Sequence, residues 1–389
     1  MKRNERYDAV IVGARAAGAA TAMLLARAGL KVIAVDRSRY GSDTLSTHAL
    51  MRPAVVQLHR WGLLERVRAS GTPPVSQVTF RYPDETIPIE ISPSGAIDAL
   101  YAPRRTVLDA LLVDAAQEAG ADVRFGVIVD DLQKDESGRV RGILARDEQG
   151  ERITLSSELV IGADGIRSIV AQAVEAQVLR RACNSGAVVY GYYEGVEASG
   201  YEWAYAPGLS AGFIPTNDGL VCAFVGGSEA DFRRRVFPNL KDGFDDVLRE
   251  VSSELHERIG AGSEASRHRG FAGVRGYARQ SWGAGWALVG DAGYFRDPIT
   301  THGISDAFRD AELLARAVSG ISSLEAYQEL RNGVTGELFD VTDRIAGYDW
   351  SMEEIRQHLL DVSRAMKPEL KLIAELDESS SFGRRIAVA

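Results

Sequence analysis

Cysteine is almost missing from this chain: Cys183 and Cys222 stand far apart, with no second thiol or histidine at metal-ligand spacing. Neither a disulfide framework nor a zinc site is therefore expected, no metal ligand set is assigned, and a cytoplasmic setting fits. Long apolar runs are lacking too. Nothing approaches the roughly 20 residues that a membrane span needs. The start, MKRNERYDAVIVG, passes from charged residues straight into a strand pattern with no cleavable signal. The expectation is a soluble protein with no integral membrane span. Positive charge is short as well: 45 Lys and Arg face 54 Asp and Glu, a net charge of −9, and no basic run or basic-aromatic stripe occurs. A general binder of phosphate backbones is excluded, so no nucleic-acid partner is expected. Internal repeats and low-complexity tracts are likewise missing.

What is present is the composition of an ordinary globular protein, 45% hydrophobic and 25% charged over 389 residues, enough for two or three domains. The first chemical signal is the run 12–18, VGARAAG. Residues 7–12 (YDAVIV) form a short apolar strand, 19–28 (AATAMLLARA) an apolar-faced helix ended by Gly29, and 31–36 (KVIAVD) a second strand closing on an acid. That is a βαβ unit of about 30 residues with parallel strands. Gly13 permits the tight turn, and the helix start at Ala14, Ala17 and Gly18 offers free N–H groups and a positive dipole end to a pyrophosphate. Asp36 at the end of the second strand, followed by Arg37, can accept from a ribose 2′-hydroxyl and repels a 2′-phosphate. Arg15 stands where the middle glycine of G-x-G-x-x-G belongs. Its Cβ restricts close approach, and its guanidinium is free to swing to solvent or toward a phosphate. These residues indicate a dinucleotide and leave NAD and FAD open, because both carry an ADP half.

Further along, residues 73–100 turn Pro-rich with short alternating segments, 104–119 read as a helix, and 122–129 and 139–146 as strands around a DESG turn. Residues 185–228 are rich in Gly and aromatics with alternation at VVYGYY, AGFIP and LVCAFV. From 306 the pattern is helical almost to the end. The fold class expected is α/β: a Rossmann-like dinucleotide domain (1–75, 100–178 and 268–320) interleaved with an antiparallel-sheet substrate domain (76–99 and 179–267), then a helical C-terminal segment (321–389). A second chemical signal lies in WALVGDAGYFRDPITTHGISDAFRD at 286–310. There an apolar strand ends in Gly290-Asp291, and a loop with Pro298 leads to a helix beginning near Gly303 and Ile304. A carboxylate at a strand end can hold a polyol hydroxyl, and a helix N-terminus stabilises negative charge facing it.

Taken together these motifs resemble the FAD-dependent enzymes of the para-hydroxybenzoate hydroxylase-like class, with their relatives the geranylgeranyl reductases and flavin-dependent halogenases. VGARAAG to VD resembles that family's ADP-binding unit, some of whose branches also carry arginine in the second glycine position. The resemblance implies that Arg105 opens the next helix against the cofactor and that the backbone of Val129 holds the adenine. It places Asp164, in ELVIGADGIRSIV, near the pyrophosphate, Asp291 on the ribityl chain, and Gly303 and Ile304 at the flavin N1 and O2. Ser46 and Thr47, in SDTLSTHALMRPA, would lie at the flavin edge beside His48. His48, Pro298 and His302 are the candidate catalytic residues. His302 is expected to face the flavin as a cation, with a packing role as its alternative.

The departures from the family pattern are specific. Thr300 is taken to replace the first glycine of Pro-x-x-Gly-x-Gly, and Tyr294 a common histidine. No Trp-x-Trp-x-Ile-Pro segment occurs, which disfavours halogenation, and no second dinucleotide loop exists, so NAD(P)H would bind only transiently over the flavin. Tyr190, Tyr192, Tyr193, Trp203, Tyr205, Phe213 and Phe224 supply several walls of an apolar pocket, implying an aromatic or polycyclic small molecule as substrate. The family implies a monooxygenase: NAD(P)H reduces FAD, dioxygen adds at the flavin C4a, and the hydroperoxide delivers one oxygen atom. A reductase transferring hydride to a C=C bond is the alternative, and a non-catalytic flavin protein the third reading.

Overall fold

Asn4–Val12 and Val32–Asp36 run parallel as neighbours, with Val10 opposite Ile33 and Val12 opposite Val35. A computed structural model describes residues 4–376. Ala9–Val12 and Val32–Val35 are continuous apolar runs because both faces of the sheet are covered there. Ala9 and Ile11 pack into a core shared with the helices Ala16–Arg27, Arg105–Glu118 and Gly303–Val318, while Val10 and Val12 join a second core with Leu132, Ile143 and Leu155. The sheet has eight strands. Asn4–Val12 lies between Val32–Asp36 and Arg152–Gly162; beyond the latter comes Trp286–Leu288, and Asp122–Phe125 lies outside Val32–Asp36.

A second eight-stranded sheet takes Gln77–Arg81 and Thr86–Glu90 together with Gly186–Glu194, Tyr201–Ala206, Leu209–Pro215, Val221–Ser228 and two short strands near 263–271. It is antiparallel except where Tyr201–Ala206 runs parallel to Gln77–Arg81. Those two strands come from separate passes of the chain, so no hairpin dictates their direction. Period-2 alternation divides its side chains. Val189, Tyr193, Ala204, Phe213 and Val225 face the helices Glu229–Arg235, Leu240–Val251 and Ser253–Gly260, and Tyr190, Tyr192, Trp203, Tyr205 and Cys222 face the first body. These three helices, capped by Ser228, Asn239 and Ser252, are what the strand reading of 179–267 passed over.

A small third sheet joins Val178–Arg181, Tyr277–Arg279 and Tyr294–Phe295. The chain then closes with the helices Leu324–Ile345, Met352–Ala365 and Lys367–Glu375. The remainder of the expected helical segment, 377–389, lies outside the described residues. Among the described residues no helix is long and apolar enough to cross a membrane.

Candidate functional site

The glycine turn is held by contacts that only glycine permits. Gly13 has φ +102°, and a Cβ on it would lie 2.4 Å from the Ala163 carbonyl oxygen; a Cβ on Gly18 would lie 1.8 Å from the Gly13 carbonyl oxygen. The turn is thus pressed against the end of Arg152–Gly162. Arg15 is extended (φ −93°, ψ −165°), a conformation open to any residue, and it caps the helix Ala16–Arg27 without a side-chain bond to the free N–H groups. Its guanidinium is partly exposed and turns onto neighbouring groups of the chain. It donates to the Ser42 carbonyl and to Asp109, both at 3.2 Å. Asp109, which the sequence reading missed, also receives both arms of Arg105 at 3.0 Å.

Asp36 is buried; one oxygen accepts from the Ala14 N–H at 2.8 Å and the other from the Ser38 N–H and hydroxyl. Arg37 is exposed. The residue tied to the backbone of Asp36 is Val127, whose N–H donates to the Asp36 carbonyl at 2.9 Å. Val129 lies two residues farther on, paired with Ala145. Ala14, Arg15, Ser42, Asp109, Val113 and Phe125 line a small cleft here.

The downstream motifs close on the same helix. A Cβ on Gly290 would lie 2.8 Å from the Ala17 Cβ, and the Tyr277 hydroxyl donates to the Asp291 carbonyl at 2.6 Å. Burial pushes the Asp291 carboxyl up to about 7, with Asp306 adding and Arg105 opposing, and it has no hydrogen-bond partner among the described residues. Burial also raises Asp164, whose Oδ2 accepts from the Ile169 N–H while its Oδ1 is buried without a partner. Gly303 and Ile304 open a sixteen-residue helix that also lacks a side-chain cap.

Two uncapped helix starts, a glycine cradle and two under-satisfied, half-buried carboxyls fit a dinucleotide bearing a polyol, which is what FAD is. The glycine turn would take the pyrophosphate, Asp36 the ribose, Asp291 the ribityl hydroxyls, and Gly303 and Ile304 the pyrimidine edge. Asp291→Ala is therefore expected to lower FAD affinity on the order of tenfold or more, from the loss of a charge-assisted bond worth roughly 1.5–3 kcal/mol. Equilibrium dialysis of released FAD checks this. An unchanged dissociation constant would remove Asp291 from the site.

Beside this cradle lies a cavity lined by Trp203, Tyr205 and Phe224 from the second sheet, Tyr348 from the C-terminal segment, and Pro298, Ile299 and Thr301 from the loop before Gly303. Thr47 also borders it. Phe213, Tyr190, Tyr192 and Tyr193 do not line it. Phe213 and Tyr193 face the helical side of the sheet, and Tyr190 accepts from the Ser46 N–H within the interface. The loop also corrects the glycine comparison. The left-handed residue is Thr301 (φ +55°), two positions before Gly303, whereas Thr300 is a buried end of the short Pro298–Thr300 turn. The residue in the missing glycine's place is Thr301, and not Thr300.

Neither histidine borders the cavity. His48 is buried in a left-handed conformation (φ +49°), its Nε2 3.0 Å from the Tyr192 hydroxyl. Burial, with Arg104 and Arg105 nearby, drives its pKa down to about 3, so the ring is neutral at pH 7. The unfolded chain carries more protons than the folded one between this value and 6.5, so His48 stabilises the fold above pH 6.5 and that contribution is lost as the pH falls toward 3. His48→Asn, which suits a left-handed backbone, is expected to flatten the fall by up to ~1.4 kcal/mol per pH unit in that window. Urea melts at pH 7, 6, 5 and 4 check the difference, and parallel curves for both proteins would refute it.

His302 does not present its ring as a free cation toward the helix start. Its Nε2 lies 2.5 Å from Glu369 Oε2, on the C-terminal helix Lys367–Glu375, and it is 1% exposed. Glu369 also accepts from Arg309 at 2.8 Å; Arg309 donates to Asp306 and Asp310, and Arg296 to Asp306. Although burial opposes it, His302 and Arg309 hold the Glu369 carboxyl well below the usual carboxylate range. His302, Asp306 and Glu369 are close enough to hold a cation. Arg296 and Arg309 already fill that role, and a metal ion there would add a third positive charge.

Residues 6–335 match the family described as FAD binding domain. The chain is 28% identical over 342 residues to the menaquinone reductase of Mycolicibacterium smegmatis, spanning 81% of this chain and 77% of that protein. Among solved structures, the flavin-dependent brominase Bmp2 superposes with a TM-score of 0.77 at 20% identity, covering 95% of this chain and 97% of the brominase. PqsL, a probable FAD-dependent monooxygenase from Pseudomonas aeruginosa, superposes with a TM-score of 0.70 at 22% identity, covering 95% and 100%.

Proposed function

Because this chain belongs to the FAD binding domain family and is an FAD-dependent oxidoreductase of the monooxygenase and halogenase group, we propose that it acts as a monooxygenase, using NAD(P)H and dioxygen on an aromatic small molecule. The observation that carries this reading is the aromatic-walled cavity sharing the Pro298–Thr301 loop with the helix start at Gly303. Bound FAD supplies the hydride and oxygen chemistry. The protein's own contribution is placement and exclusion. Trp203, Tyr205 and Phe224 hold a flat substrate by apolar contact and displace water from it, which limits side reactions. The uncapped N–H groups at Gly303 and Ile304 favour negative charge on whatever edge faces them. Pro298 shapes the wall between cavity and cradle, and Thr47 supplies a hydroxyl beside it. His48 and His302 have no proton-transfer role in this reading, since each ring is committed to a buried partner. NAD(P)H has no cradle of its own and approaches only transiently.

The experiment is turnover under ¹⁸O₂ with NADH or NADPH and a panel of one- and two-ring aromatics. Product carrying one labelled oxygen atom is expected. Product formed without label would replace this reading by a reductase, the activity named for the mycobacterial relative.

A further inference from the structure

The cavity has a charge character as well as a shape. Among the described residues its one carboxylate is Asp297, and no lysine, arginine or histidine lines it. Arg296, next in the chain, is turned away onto Asp306 at 2.6 Å. Asp297 is 6% exposed and pinned: Oδ2 accepts from the Gly186 N–H at 2.7 Å and Oδ1 from the Ile299 N–H at 3.0 Å, leaving each oxygen a further lone pair. Two glycines clear the floor. A Cβ on Gly186 would meet the Tyr348 ring at 2.8 Å and both Asp297 oxygens at 3.5 Å, and one on Gly226 would meet the Tyr348 hydroxyl at 2.4 Å. The Tyr348 hydroxyl pairs with Ser210 Oγ at 2.9 Å. Tyr348, Ser210 and Asp297 thus form one polar corner in a cavity whose other walls are aromatic.

Resting on the reading of this cavity as the substrate's, we propose that it takes aromatic amines and rejects aromatic acids, with Asp297 as the residue that receives the nitrogen. An ammonium or neutral N–H donor reaching the corner completes the lone pairs of Asp297, and the faces of Trp203, Tyr205 and Phe224 favour the same positive charge. A ligand carboxylate in that position meets the buried Asp297 with no cation lining the cavity to compensate. Burial pushes Asp297 up to about 7, with the Gly186 and Ile299 N–H groups opposing, and a cationic donor at the corner would favour its charged form.

The test is calorimetric titration of the purified protein with tryptamine, tryptophol and indole-3-propionate, which share a ring and differ in the charge of the arm. Tryptamine is expected to bind at least tenfold more tightly than indole-3-propionate, with tryptophol between them. Asp297→Asn should bring tryptamine and tryptophol within threefold of each other. Ile299→Lys, which places a cation on the cavity wall from a partly exposed position, should reverse the order in favour of the propionate. The proposal is overturned if the propionate binds best to the wild type, if discrimination persists in a folded Asp297→Asn protein, or if none of the three binds at millimolar concentration. Should Asp297→Asn fail to fold, Ile299→Lys decides alone, and an unchanged order there overturns the assignment. Incorporation of ¹⁸O is measured separately, so a protein that selects amines yet forms unlabelled product would sink the monooxygenase reading and leave this one standing.

Discussion

Arg309→Met is expected to destabilise the protein by about 3–5 kcal/mol, the usual loss when one partner of a buried ion pair is removed and the other is left charged. Arg309 is 0% exposed and donates to Asp306, Asp310 and Glu369 from three directions. Methionine keeps much of the volume, so the lost charge dominates the effect. Three buried carboxylates would then share Arg296 and His302. Arg309→Lys is expected to fall between, since one ammonium cannot reproduce the planar fork that reaches three acids. Urea unfolding of the FAD-bound proteins measures the difference. A loss under 1 kcal/mol for methionine would show that the cluster relaxes by taking up protons, and the account of Glu369 as a firmly charged group would be wrong.

Gly18→Ala is expected to abolish FAD retention through purification, with affinity lowered about a hundredfold or more, equivalent to roughly 2.7 kcal/mol. The added methyl would stand 1.8 Å from the Gly13 carbonyl, and the carbonyl has nowhere to retreat because Gly13 is itself pressed on Ala163. The turn must open, and the helix start Ala16–Arg27 moves off the position where its N–H groups converge. Overpacking of this kind adds a stability loss of roughly 1–3 kcal/mol. Gly260→Ala, with open space around its Cβ position, serves as the control and should leave both quantities near wild type. Full flavin occupancy in Gly18→Ala would mean that the turn is not the pyrophosphate cradle.

The βαβ unit was legible because its signals are local: an apolar run, a turn glycine, a helix of small residues and an acid, all within thirty positions. Even the doubt about Arg15 was local, and the extended backbone there resolves it, since that conformation needs no glycine. The histidines were not legible. The partner of His48 is 144 residues away and that of His302 is 67, and nothing in the sequence near either names Tyr192 or Glu369. Strand alternation sorted the aromatics into two sets without saying which set faces helices and which faces the cavity, so Phe213 was placed on the wrong side. Thr300 was a miscount of one residue, which backbone handedness at Thr301 exposes at once. Asp297 had a weak signal, an acid directly before proline at the mouth of the loop, whereas Tyr348 had none, because it arrives from the C-terminal helices.

The order of strands in the first sheet has a consequence for biogenesis. Asn4–Val12 leaves the ribosome first, but Arg152–Gly162, which walls the glycine turn, follows some 140 residues later, and Trp286–Leu288 later still. At about 5–20 residues per second, roughly 14–55 s pass between translation of the first strand and the last of these. Until Arg152–Gly162 and Ala163 have been made, roughly 8–30 s after the first strand, VGARAAG has nothing to press against, and Val10 and Val12 have no outer neighbour. Flavin capture is then among the last events of assembly, after the Gly303 helix has been made. A nascent chain stalled before Trp286 exposes unpaired parallel edges, so this protein is expected to depend on chaperone shelter during its own synthesis more than its ordinary composition suggests.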